Sequence, residues 1–135
     1  MKEMIYTENR HAPEILDESE YRGVKYVVLS LGTHPTAYVE NIVKVDNYAD
    51  ERLYGVYVHG GFTYLGADYW NVNKTHDTEY LGWDYAHAGD YVGWHAHCAY
   101  WAEDVQWVTE AIVVECKRVI DQLLNLIEFE NNQKK

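Results

Sequence analysis

The order of apolar and polar positions divides the chain into two halves with different periods. Residues 25–31, KYVVLSL, form a β-branched and apolar run that predicts a strand, and Gly32-Thr33-His34-Pro35 follows as a turn signal. Residues 36–53 read as a loop with a short helix. LYGVYVHGGFTYLG, from Leu53, then reads as a strand, a Gly-Gly bend and a second strand. Residues 67–78 are turn-rich, residues 79–85 read as a further strand, and residues 87–93 as a loop with two glycines. From about Glu103 the period changes. Val105, Val108, Ile112, Cys116, Val119, Leu123 and Leu126 recur at steps of three and four, the spacing of an amphipathic helix, with Asp104 as its N-cap. The pattern predicts an α+β fold: a small antiparallel sheet packed against one long C-terminal helix. The domain expectation is an arm over residues 1–20, with a short helix near Pro13–Asp17, one α+β domain over 21–128 and a polar tail over 129–135.

Composition narrows the function classes. A chain of 135 residues with 47% hydrophobic and 15% aromatic residues suits one core. A net charge of −11 argues against general nucleic-acid binding, yet leaves room for a small anionic ligand held by a few cations and backbone N–H groups. No apolar run reaches membrane-spanning length, and the N-terminus lacks the charged start and apolar block of a signal peptide. The cysteines, Cys98 and Cys116, form no CxxC pair, so the expectation is a cytoplasmic protein with free thiols and Cys116 packed in the core.

Seven histidines supply the candidate chemistry. His34 stands in the rigid turn before Pro35. His59 ends an expected strand just before Gly60 and Gly61, where backbone can approach a ligand closely. His87 lies between Asp84 and Asp90. Two placed histidines can serve as base and acid near neutral pH, with a carboxylate fixing the tautomer of one. Asp84, His87, Asp90 and His59 also form the donor set a divalent metal would use, although the spacing matches no established metal motif and no cofactor is favoured. In the bland alternative, Asp84 and Asp90 bond backbone N–H groups of a glycine-rich loop. His-x-Thr occurs at His34 and His76, a weak echo of two-histidine phosphoesterases, and His95 and His97 form a HAH pair without an assigned role. With 13 Tyr and 5 Trp, some rings are free to stack on a nucleobase, Trp83 among them, while Arg22 is a candidate cation near the sheet end. Glu115 falls at the edge of the helix's apolar stripe, where a carboxylate can reach the histidine loops.

Three ordered blocks carry a resemblance: Gly32-x-His34-Pro35, then Val58-His59-Gly60-Gly61-x-Thr63-Tyr64, then Gly82-x-Asp84-x-Ala86-His87-x-Gly89-Asp90. Over roughly residues 22–125 the chain resembles a family of small phage and prophage proteins that end in a helix carrying a Glu, matched here by Glu115. The family's insert rich in cysteine and proline, between the second and third blocks, is replaced by ADYWNVNKTHDTE. Small phage proteins of this kind are suspected of counter-defence. The resemblance implies a protein that destroys or binds a nucleotide-derived immune second messenger, and the titratable residues at strand ends and glycine turns favour a hydrolase, with His59 and His87 as acid–base pair, His34 orienting or binding phosphate, and Asp84 and Asp90 fixing the imidazoles. Gly60, Gly61, Thr63, Tyr64, Trp83, Arg22 and Glu115 would contact the ligand. The alternatives are a binder that sequesters the same signal and an acidic inhibitor of a host protein. A homodimer is the default expectation for so small a protein.

Overall fold

In the computed structural model, residues 13–30, 34–71, 78–85 and 108–133 are described. They build a five-stranded antiparallel sheet and one long helix: β1 (Glu14–Tyr21), β2 (Val24–Ser30), β3 (Pro35–Glu40), β4 (Tyr64–Ala67), β5 (Glu79–Asp84) and α1 (Thr109–Gln133). The strand order is β1-β2-β3-β5-β4, so β5 inserts between β3 and the shorter β4. This is the expected α+β architecture.

Three local expectations change. Residues 14–20, expected in an arm, pair with β2 as an edge strand, because Arg22 and Gly23 both adopt positive φ (52° and 80°) and close a two-residue hairpin. The loop expected after Pro35 begins with β3, whose residues are buried between β2 and β5. The strand expected at 53–57 is instead a 3₁₀ turn, Glu51–Leu53, capped by the Asp50 carboxylate on the Arg52 N–H, followed by chain without ladder partners among the described residues. Further along, the helix runs past residue 128 to Gln133; its expected start at Asp104 lies outside the described residues.

Side-chain alternation gives the sheet two unlike faces. On the helix face, Val28, Ala37, Val39, Leu81 and Trp83 pack against Ile112, Cys116, Val119, Ile120 and Leu123. Burial pushes the Cys116 thiol far above its ordinary pKa and keeps it neutral, as expected of a packed cysteine. On the far face, Val27, Leu29, Tyr38 and Tyr80 meet Trp70 and Tyr64. Among the described residues, no helix is long and apolar enough to cross a membrane.

Candidate functional site

A segment leading into β4 runs along α1 and is tied to it at three levels. Arg52 donates to both carboxylate oxygens of Glu130, at 2.8 and 2.6 Å, and to the carbonyl of Val43. The side-chain amide of Gln122 grips Tyr57 at two points, accepting its backbone N–H at 2.6 Å and donating to its carbonyl at 2.8 Å. Glu115 Oε2 accepts the backbone N–H of His59 at 3.0 Å. Those of Tyr57 and His59 are backbone groups with no strand partner among the described residues, so the helix side chains bond them instead.

The chain then turns sharply. Gly61 N–H donates to the carbonyl of Val58, and Gly60 and Gly61 take φ of 70° and 83°. Gly60 stands at the third position of this turn, where a positive φ excludes most side chains. A Cβ on Gly61 would meet nothing within 4 Å, so that glycine answers to backbone angle and not to crowding. The turn aims the His59 ring at Tyr85, on which it stacks with centroids 4.5 Å apart and planes 15° from parallel. Tyr85 is fully buried, its hydroxyl accepts the Trp83 indole N–H at 3.1 Å and its backbone N–H donates to the carbonyl of Pro35. The imidazole is thus seated on a rigid platform at one end of the sheet.

Between this turn and the helix lies a cleft of about 380 Å³, lined by Tyr57, Val58, His59, Gly60, Glu115, Arg118 and Gln122. It brings together a potential general base, a carboxylate and a guanidinium. A larger cleft of about 470 Å³ opens near β1 and β2, but among the described residues Glu18, Glu20 and Asp68 outnumber Lys25 there and no imidazole lines it. The smaller cleft is the one with acid–base chemistry.

The sequence-predicted residues fare differently. His59, Gly60 and Glu115 meet in the cleft, and Gly61 completes its turn. His34 immediately precedes Pro35, whose carbonyl holds Tyr85, so it belongs to the same end of the sheet. Asp84 does not share the imidazole's side. Alternation along β5 puts it on the far face with Tyr80 and Gly82, while Tyr85 and Trp83 point to the helix. Trp83, expected to stack on a ligand, is a core residue with 1% exposure. Tyr64 also lies on the far face, its hydroxyl bonded to the carbonyl of Ala67 at 2.5 Å, and Thr63 extends the ladder by donating its N–H to Gly82. Arg22 pairs with Asp121 at 2.8 Å on the opposite flank of α1. Among the described residues, no group of three or more His, Cys, Asp or Glu side chains could hold a metal ion; His87 and Asp90, the other half of the expected donor set, lie outside them, as do His76, His95, His97 and Cys98.

Sequence reading missed Tyr57, Tyr85, Arg118 and Gln122. The last two were within reach of it: steps of three and seven from Glu115 return to one flank of a helix. Tyr57 and Tyr85 carry no such signal, since their roles depend on how a loop docks. No family model matches the chain, and neither a curated protein nor a solved structure does.

Proposed function

We propose that the protein is a hydrolase acting on a nucleotide-derived small molecule in the His59 cleft. The observation that carries this reading is the meeting of His59 and Glu115 in one cleft, with the imidazole seated on Tyr85. His59 takes a proton from water as the water oxygen bonds to phosphorus. The Glu115 carboxylate stabilises the imidazolium, and the P–O bond to the leaving group breaks. The proton then passes from His59 to the departing oxygen, restoring the free base. The resemblance to phage and prophage proteins supports an immune second messenger, a cyclic dinucleotide or a cyclic ADP-ribose isomer, as the substrate.

The test is incubation with a panel of those compounds, with and without EDTA, read by liquid chromatography and mass spectrometry. One compound should be converted by the native protein and, in His59→Gln, at a rate lower by about 10²-fold or more, with the melting temperature unchanged. No conversion of any compound, or full activity in His59→Gln, overturns hydrolysis. A second reading, sequestration without cleavage, is favoured by the firm two-point grip on Tyr57. It predicts a compound that vanishes from solution and returns intact on denaturation.

A further inference from the structure

Tyr57 is 88% exposed, yet it is among the most firmly held positions of its segment. Exposed tyrosines elsewhere on a loop carry no such restraint by necessity; here both backbone groups are clamped by one side chain, Gln122, at 2.6 and 2.8 Å. A large flat ring is therefore held out in solvent at the cleft with little backbone freedom left to lose. That is the arrangement of a stacking platform, which binds a planar partner at low entropic cost.

The second observation is a cation without a bonded partner among the described residues. Of the three arginines among the described residues, Arg22 is bonded to Asp121 and Arg52 to Glu130. The guanidinium of Arg118 bonds to no described residue, and it lines the same cleft as Tyr57. Beside it, Gly60 is exposed and its backbone N–H has no acceptor among the described residues. A guanidinium and a nearby free N–H match the oxygens of a phosphate, and such an anion can be captured even by a protein of net charge −11 because the contact is short-ranged and bonded.

We propose that Tyr57 and Arg118 recognise one phosphorylated heteroaromatic moiety, with its ring stacked on Tyr57 and its phosphate held by Arg118. This rests on the reading of the cleft as a nucleotide site and adds the residues that select the ligand. Gln122 is a positioning residue: it touches the ligand through Tyr57 alone.

The experiment is calorimetric titration of the full chain with the four ribonucleoside 5′-monophosphates, the matching nucleosides and inorganic phosphate. At least one nucleotide should bind saturably. Arg118→Gln should weaken that nucleotide about tenfold or more while leaving its nucleoside unchanged. Tyr57→Ala should weaken both about tenfold, and Tyr57→Phe should restore binding, since stacking needs the ring and not the hydroxyl. All three variants change exposed side chains, and unchanged melting temperatures verify that they fold. The proposal is overturned if no nucleotide binds, if either Arg118→Gln or Tyr57→Ala leaves affinity intact, or if phosphate alone binds as tightly as the nucleotide. Binding with these dependences but without turnover of the signal panel would remove hydrolysis and leave the recognition in place. Turnover indifferent to both variants would do the reverse.

Discussion

The two faces of the sheet are built from the same strands and solve burial in opposite ways. The helix face is largely aliphatic and is covered by a single 25-residue helix, whose apolar residues at 112, 116, 119, 120 and 123 are all fully buried. The far face is paved with aromatic rings, most of them set edge to face, with Tyr38 and Trp70 tilted at 38°. Tyr38 sits at its centre, with Tyr64, Tyr69 and Trp70 at centroid distances of 5.3, 6.0 and 4.5 Å. Aliphatic side chains interdigitate with a regular partner, so the helix can carry other work on its flanks. Aromatic rings need specific geometry and flat ground, and glycine provides it. A Cβ on Gly82 would lie 2.6 Å from the Tyr38 ring, and one on Gly66 would lie 2.8 Å from the Tyr64 hydroxyl. The candidate site follows the first solution: it stands on a flank of the helix, where the core stripe ends.

The widest gap between the faces should appear on truncating the helix side. Leu123→Ala leaves a void among Val119, Ile120 and the sheet, and should cost about 2–5 kcal/mol in chemical denaturation. A loss no larger than that of a far-face substitution would contradict the division drawn above. On the far face the sharper experiment adds an atom. Gly82→Ala should cost about 1–3 kcal/mol, because Tyr38 is hemmed in by other rings and cannot retreat. Combining it with Tyr38→Ala should cost clearly less than the sum of the two single losses, since the clash goes with the ring; simple additivity would show that Tyr38 is not what the new methyl meets.

The smallest effect is one of pH. Burial pushes the Tyr80 hydroxyl up to about 12 and raises that of Tyr38 further still. The folded protein holds these protons where an unfolded tyrosine, at 10.0, gives them up. Stability from this source is complete below the unfolded value and falls as pH rises through the folded one. Denaturation midpoints should therefore decline in the alkaline window between the two, and Tyr80→Phe should flatten the decline. An unchanged slope in that variant would assign the loss to other groups.

How much of this was legible beforehand depended on whether a residue's role is local. The helix stripe repeats along one element, so its period in the sequence named Ile112, Cys116, Val119 and Leu123 as core and put Glu115 at the border. β2 and β5 were similarly plain, being continuous apolar runs. β1 was not, because an edge strand of EILDESEY composition has no buried face to announce it and is fixed by the hairpin turn alone. In the site, the His-Gly-Gly turn was visible since its geometry is written in adjacent residues. The faces of Asp84 and Trp83 were not legible from motif proximity, which ignores the period of two: Asp84, next to Tyr85 in sequence, points to the other face, and Trp83 points inward.

The grip of α1 on the loop has a consequence for hydrogen exchange. The amide protons of Tyr57 and His59 are bonded to side chains, Gln122 and Glu115, with no ladder behind them. Their exchange with deuterium is slowed only while loop and helix touch. These two protons are thus a built-in clock for opening of the cleft, separable from global unfolding, which the amides of β2 and β3 would time. A ligand that fastens the loop should lengthen the first interval before it alters the second.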